Sequence, residues 1–564
     1  MNYKDLRWEI IHHTRIADHS TQAIVDILLK NRGIKTKKEK DEFINPIPAE
    51  KISVKSLSLS TENINKAIKR IKRAKVKKEK VIVFGDYDAD GICATAILWE
   101  CLYNLGIDAT PYIPERFSEG YGLKAESLEN IKIQNPNVKL IITVDNGIVA
   151  NAGVGAANKL GVDVIITDHH LKGKKLPKAY AIVHTTEIGG AGIAWVLARE
   201  IKKKLVTHNA KLNNGLELAA IGTIADQLPL VGPNRSLAKY GLEALNKTKR
   251  PGLLALFEQA GIKESASWRI GTYEVNYIIA PRINAMGRIA HAIESLRLLC
   301  TKNKNKAYEL ARLLGETNQI RQKQVDDVLA HALTRITGSD EIIVLAHESY
   351  HEGVIGLAAS KIVEKFYRPT IMLSKGTTFS KASARSISGF NIIEFLRSME
   401  EMWVEGGGHP MAAGFTIESE KIEVFTKKIK MAARPLLTPE VLQKKLKIDV
   451  KLNFDQLNLE LLNKIRSLEP YGIGNPAPVF VSEKVRVKDA RLVGRDRSHL
   501  KLNLEDGFME FGAIAFGFGE FYQKLSPDSL VDIAFSLEEN EWMGNVDLQL
   551  KVKDIRLTKR YDEK

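Results

Sequence analysis

The sequence predicts an α/β protein with two α/β lobes joined by a long helix and followed by a small β-barrel. Three observations predict it. Between residues 81 and 183, short β-branched runs alternate with helix-like stretches, the pattern of a parallel sheet covered on both faces. A second alternation opens near residue 342, after a charged stretch, 306–336, that is free of Gly and Pro over most of its length. From 479 to 557 the pattern becomes short alternating runs separated by turns, as in a small barrel.

Taken in order, residues 1–45 read as an N-terminal helical segment. An amphipathic stretch at 23–29 is stopped by Asn31-Arg32-Gly33, and a second helix at 38–44 precedes Pro46. The first lobe is expected over 46–305. Its strands fall at 81–84, 110–113, 140–144, 164–167 and 181–183, with helices at 93–105, 124–133 and 151–160 and a helical region from about 190 to 261. The Lys- and Arg-rich stretch 69–80 reads as a solvated helix face. A connecting helix is expected over 306–337. The second lobe, 338–435, has strands expected at 342–345, 370–373, 381–385 and 413–417 and helices at 354–366 and 392–399. Pro435 and Pro439 mark a linker, and the barrel is expected over 445–560.

Composition excludes several classes. A chain of 564 residues corresponds to about three to four domains. Hydrophobic residues at 44% and charged residues at 27% exclude wholesale disorder. The 83 Lys and Arg exceed the 68 Asp and Glu by 15, a surplus suited to a polyanion, nucleic acid first. Three cysteines without a CxxC pair exclude a disulfide framework and a Cys-based zinc site, and fit a reducing cytoplasm. The charged N-terminus lacks a signal-peptide core, and no apolar run is long enough to span a membrane.

The chemistry is concentrated where acids follow strands. Phe84-Gly85 leads into Asp86-Tyr87-Asp88-Ala89-Asp90-Gly91, Val144 into Asp145-Asn146-Gly147, and Thr167 into Asp168-His169-His170. In an open parallel sheet the carboxyl edge of the strands is where sites form. Five carboxylates and two imidazoles converging there would repel one another unless divalent cations neutralised them. Oxygen donors mixed with imidazole favour Mn²⁺ or Mg²⁺. One acid after a strand is ordinarily a helix cap, but a cap needs one carboxylate and not three. An EF-hand fails because position twelve from Asp86 is Ile97. Asp226, which ends an apolar stretch, is by itself an ordinary loop acid. His12-His13 has no acidic neighbour in sequence and reads as surface or structural.

These segments, with Ala225-Asp226, resemble the four motifs of the DHH phosphoesterase superfamily, whose namesake is the Asp168-His169-His170 triplet. Further segments resemble the RecJ family of bacterial single-strand-specific 5′→3′ DNA exonucleases. They are Ile113-Pro114-Glu115-Arg116 with Glu119-Gly120-Tyr121-Gly122, Pro281 to Arg288, His351 to Gly356, Ser383-Ala384-Arg385-Ser386, Gly407-Gly408-His409, and Leu468 to Pro476. The matches run from the Arg32-Gly33-Ile34 segment into the barrel.

The resemblance implies a DHH catalytic lobe, a DHHA1 lobe and an OB-fold. It implies two divalent cations, Mn²⁺ or Mg²⁺, held by Asp88, Asp90, Asp145, His169 and Asp226, with Asp145 bridging and Asp86 as a further acid. His170 would face the scissile phosphate and Asp168 would orient it. Many superfamily members carry a His where this chain has Phe84, which leaves the first cation with fewer protein ligands. Arg116, Arg282, Ser383, Arg385 and His409 would hold a substrate phosphate, the last beside the Gly406–Gly408 loop. In the barrel, Lys488, Arg491, Arg495, Arg497 and Lys501 would grip the strand, while several of Phe511, Phe516, Phe518, Phe521 and Tyr522 fill the core.

The implied function is a metal-dependent exodeoxyribonuclease that releases 5′-mononucleotides from single-stranded DNA in recombination and repair. The enzyme would be a cytoplasmic monomer, and its expected partners are single-strand-binding protein and a repair helicase. The alternatives are a phosphodiesterase for oligoribonucleotides or cyclic dinucleotides, a non-catalytic DNA-binding scaffold, and a pyrophosphatase. The barrel argues against the first. The intact acids argue against the second. The basic surplus is left unexplained by the third.

Overall fold

The computed structural model describes residues 6–13, 20–205, 215–262, 269–338, 340–526, 528–542 and 545–558. Residues 206–214 of the expected helical region, and 1–5, 14–19 and 559–560 of the expected terminal domains, lie outside these. The chain divides into two units, one of Asp41–Lys323 with Pro470–Pro476, the other of Met1–Lys40, Gln324–Glu469 and Ala477–Lys564. It opens on strand β1 (Arg7–His12), an element of the unit that carries the barrel.

The other unit is built on five parallel strands, β2 (Lys80–Phe84), β3 (Ala109–Tyr112), β4 (Val138–Val144), β5 (Asp163–Asp168) and β6 (Ala181–His184), in the order β3-β2-β4-β5-β6. Side chains alternate across a strand, so each face has its own core. Val81, Val83, Ile142 and Ile165 pack with the helices Thr61–Lys77, Ala89–Asn104 and Gly190–Leu205. Ile82, Phe84, Ile141 and Ile166 pack with the helices Ala125–Gln134 and Asn151–Lys159. The chain runs from β2 to one neighbour, β3, then returns to the other, β4. That reversal opens a crevice at the carboxyl ends of β2 and β4.

The 69–80 stretch departs from its expected solvated face. Arg70 is buried, its guanidinium 2.7 Å from Glu79 and 2.5 Å from Asp163, so one cation of the run ties its helix to the sheet. The long helix Lys304–Arg335 matches the expected connection, and its residues divide between the units.

In the second unit, β7 (Ile343–His347), β8 (Thr370–Ser374), β9 (Phe379–Arg385), β10 (Glu405–His409) and β11 (Ala412–Glu418) form a sheet ordered β10-β11-β9-β8-β7. Only β7 and β8 are parallel. The glycine segment expected as a loop, Gly406 to His409, is instead the exposed edge strand β10, paired with β11. Glycine is a poor strand former, and the pairing with β11 overrides that tendency.

The last strands are β12 (Lys445–Lys451), β13 (Phe480–Val493), β14 (His499–Asp506), β15 (Met509–Ala515), β16 (Leu530–Trp542) and β17 (Asn545–Leu557). Pairing in the order β13-β14-β15-β17-β16 with β16 back on β13 closes a five-stranded barrel, which leaves no free edge among these five. Phe480, Phe535, Leu502 and Ile533 are among the residues that fill it. β12 extends the sheet from β13, and β1 pairs in parallel with β12. The N-terminal segment is therefore not wholly helical. Its first element is a strand whose partner lies more than four hundred residues along the chain, a pairing that local propensity does not report.

Candidate metal centre

All the predicted metal-site acids and both histidines lie in the Asp41–Lys323 unit, around its switch point. Asp86 follows β2 and is buried. Asp88 caps the helix Ala89–Asn104, accepting from the Gly91 amide at 3.0 Å, so the ordinary cap role is present for one carboxylate oxygen. Asp90, in the first turn, points from that helix to the start of another. Its oxygens accept from the Gly190 and Ala191 amides at 2.7 and 3.0 Å. Asp145 sits after β4 at φ 62°, a left-handed conformation that Asp tolerates, with its amide donating to the Thr167 carbonyl. Asp226 ends the helix Leu216–Ala225.

Donor atoms of three overlapping triplets come within 4.8 Å of one another: Asp86, Asp88 and Asp145; Asp145, His169 and His170; Asp90, His169 and Asp226. Asp145 belongs to two of them. Its Oδ1 is buried and, among the described residues, accepts no hydrogen bond; His169 Nε2 lies 3.1 Å away. A buried carboxylate oxygen left without a donor is costly, and a cation satisfies it.

The electrostatics agree. Burial first, and the neighbouring acids second, push the carboxyls of Asp86 and Asp145 well above the usual range. The same causes raise Asp90 to about 7 and Asp226 to about 8. Carboxylates so crowded are stable as a set when positive charge sits among them. The donor set therefore fits divalent cations.

His170 is held differently. Its Nδ1 is 2.7 Å from Asp168 Oδ1, which also accepts from the His170 amide, while Oδ2 accepts from the Ile148 amide at 2.8 Å. Burial opposes charge on the ring. The hydrogen bond and charge of Asp168, with Asp86 and Asp226, outweigh it and push His170 up to about 9. Burial also opposes charge on Asp168, yet His170 and the two amides hold its carboxyl below the usual value.

Two glycines make the cluster sterically possible. A Cβ on Gly190 would fall 2.4 Å from Asp145 Oδ1, and one on Gly222 would fall 2.2 Å from Asp90 Oδ1. Phe84, in the place of the absent His, stacks on Tyr112 in the sheet core, leaving Asp86 as the acid at that end.

Other residues acquire places that sequence reasoning did not assign. The Tyr121 hydroxyl donates to the Asp145 carbonyl at 3.2 Å and lies 3.3 Å from His170 Nδ1. Asn284 Oδ1 accepts from the Ala89 amide at 2.7 Å, docking the Pro281–Arg288 motif on the first acidic loop. Buried Asn146 donates to the Val144 carbonyl. All three stand inside the motifs Glu119–Gly122, Pro281–Arg288 and Asp145–Gly147, and that position was the available signal.

The expected phosphate-binding residues fall in both units. Arg116 lies over the Tyr87 ring at 5.2 Å. Arg282 donates to Gln259 and to the Ile278 carbonyl, bonds of a structural kind. In the other unit, Arg385 donates to Ser383 Oγ at 3.1 Å, and Gly356 lets the start of the helix Ile355–Phe366 approach both. His409 on β10 pairs with Ala412, which pairs with Arg385.

The fold and this crevice of acids and paired histidines define a DHH-type phosphoesterase. Residues 80–223 match the DHH family N-terminal domain, 339–434 the DHHA1 domain and 448–554 the RecJ OB domain. The chain belongs to the RecJ family. It is 34% identical to the single-stranded-DNA-specific exonuclease RecJ of Bacillus subtilis over 96% of this chain and 68% of that protein. It is 31% identical to RecJ of Escherichia coli over 94% of this chain and 95% of that one. The crystal structure of RecJ in complex with Mn²⁺ from Thermus thermophilus matches with a TM-score of 0.82 at 30% identity, over 98% of this chain and 80% of that one.

Proposed function

We propose that this chain is a metal-dependent exonuclease that removes 5′-mononucleotides from single-stranded DNA. The observation that carries the reading is the set of overlapping donor triplets sharing Asp145 and His169, in a chain of the RecJ family. Asp86, Asp88, Asp90, Asp145, His169 and Asp226 would hold the cations, Mn²⁺ or Mg²⁺; the similar RecJ of Thermus thermophilus has crystal structures in complex with Mn²⁺ and with Mg²⁺. Bound there, divalent cations lower the pKa of a water and neutralise charge developing on phosphorus. The chain's own part is orientation. Asp168 holds the His170 ring by Nδ1, so a protonated His170 can donate to a phosphate oxygen, and Tyr121 keeps that ring against the Asp145 loop.

The barrel supports a single-strand substrate. Arg491 and Lys501 stand directly opposite on β13 and β14, a like-charge pair that is unfavourable unless an anion lies over it. Arg495 and Arg497 are exposed on the adjoining turn. Phe518 and Phe521 are core, whereas Phe516 is exposed beside Lys551. Recombination and repair, cytoplasmic location, a monomeric state and recruitment by single-strand-binding protein or a repair helicase belong to the same proposal. Among the described residues, no helix is long and apolar enough to cross a membrane. The test is digestion of 5′- and 3′-labelled single strands, duplex and RNA with Mn²⁺ or Mg²⁺. Mononucleotide release from the 3′ end, or equal attack on duplex, would contradict the proposal.

Two expectations follow from the site. Asp90 and Asp226 keep their protons up to about 7 and about 8, so cations must displace protons at lower pH. These raised values favour the cation-free fold below the ordinary carboxylate range, and that contribution is lost as pH rises through about 7 to 8. The melting temperature without cation should therefore fall over that range, and its rise on adding Mn²⁺ should be larger at pH 8 than at pH 6. Equal rises at both pH values would contradict the assignment.

The second concerns polarity. Ser383, Arg385 and His409 form the proposed pocket for a 5′-phosphate. Arg385→Ala should lower kcat/KM more for 5′-phosphorylated than for 5′-hydroxyl strands, by roughly 1.5–3 kcal/mol, the size of a charge-assisted hydrogen bond. An unchanged preference in a folded variant would remove the pocket.

A further inference from the structure

We propose that Tyr273 and Tyr277 form a stacking platform for the bases of the unpaired strand beside the metal centre. This rests on the exonuclease reading and extends it to how the strand is held. The two tyrosines lie where the chain enters the Pro281–Arg288 motif, on a helical turn at Thr272–Glu274 continued by a π-helical stretch, Val275–Ile279. Such widened turns recur at functional sites. A spacing of four puts both rings on one face, 4.9 Å apart between centroids and 35° between planes.

Val275 and Ile279 anchor the segment in the core, while Tyr273 and Tyr277 are 63% and 69% exposed. Neither hydroxyl makes a hydrogen bond with a described residue. Two large rings held side by side in water contribute little to folding, since the area whose burial would stabilise the protein stays hydrated.

Their position connects them to the site. Asn276, between them, accepts from Gln227 Nε2 at 2.9 Å, and Gln227 directly follows Asp226. The π segment packs on the helix Leu216–Ala225, which ends in that acid. On the other side, Arg282 donates to the carbonyl of Ile278, putting a guanidinium next to the residue after Tyr277. Exposed aromatic faces suit a single strand, because every unpaired base has a face to stack. Bases in a duplex already stack on one another and present no free face, so the platform favours unpaired DNA.

The experiment measures binding by fluorescence anisotropy in EDTA, where no hydrolysis occurs. It compares a 5′-phosphorylated oligothymidylate with a fully abasic strand of equal length, for wild type, Tyr273→Ala, Tyr277→Ala and Tyr277→Phe. The alanine variants should bind oligothymidylate on the order of tenfold more weakly and the abasic strand unchanged, and Tyr277→Phe should bind as wild type does. Melting temperatures establish that each variant is folded. Equal loss on both strands, or no loss, overturns the platform and leaves the tyrosines a structural role or another partner's surface. A wild type that binds both strands equally overturns the platform alone. A wild type that binds neither overturns the exonuclease reading and the platform with it.

Discussion

Asp145→Ala is expected to abolish hydrolysis, with a loss of at least about 10³-fold, while single-strand binding survives. Asp145 is the carboxylate shared by two donor triplets, and its Oδ1 is a buried oxygen without a hydrogen bond among the described residues. Removing it takes a ligand from both sets and leaves the barrel untouched. Ala in the left-handed conformation at φ 62° costs about 1–2 kcal/mol, so Asp145→Asn, which tolerates that conformation, serves as the companion variant. Both should lose turnover and most of the Mn²⁺-induced rise in melting temperature. Without cation neither should fall far below wild type, because a repelled carboxylate has been removed. Near-normal turnover by either folded variant would sink the assignment of the acids.

Gly190→Ala should also be damaging, by a smaller factor, although it removes no functional group. The new Cβ would sit 2.4 to 2.5 Å from Asp145 Oδ1, Cβ and Cγ, a clash relieved only by moving the carboxylate or the helix start that binds Asp90. Displacement of a reacting group by about 1 Å costs on the order of 10²-fold. Gly155→Ala is the control. Gly155 lies in the helix Asn151–Lys159 with open space around its Cβ position, so the change should be neutral to activity and stabilise the fold by about 0.5–1 kcal/mol. Equal activity of Gly190→Ala and Gly155→Ala would show that Asp145 has room to move without consequence.

Much of the architecture was legible because it rests on local pattern. The apolar runs ending in Phe84, Val144 and Thr167 had to be buried strands, and the acids after them had to lie at one edge of a parallel sheet. The long helix and the barrel strands were legible for the same reason. Strand β1 was not, since a six-residue stretch with charged neighbours takes its conformation from β12, far along the chain. Nor was β10, where glycine suggests a loop and the neighbouring strand imposes extension. Arg70 shows the same limit, for nothing in a basic run marks which cation turns inward to Asp163.

The site divides in the same way. By itself the sequence determined which groups are available for chemistry: the acids at strand ends, the His169-His170 pair, and the excess of cations. Residue type sets charge and donor atoms, and strand periodicity sets the edge at which they emerge. Only the tertiary structure decided how those groups are arranged. It brought Asp226 from a separate helix to His169, buried Asp145 Oδ1 beside His169, and turned Asp168 to hold His170. It also spent Arg282 on Gln259 and the Ile278 carbonyl. Those outcomes depend on distances of a few ångströms between segments remote in sequence, set by packing contacts such as those at Gly190 and Gly222, and no local pattern encodes them.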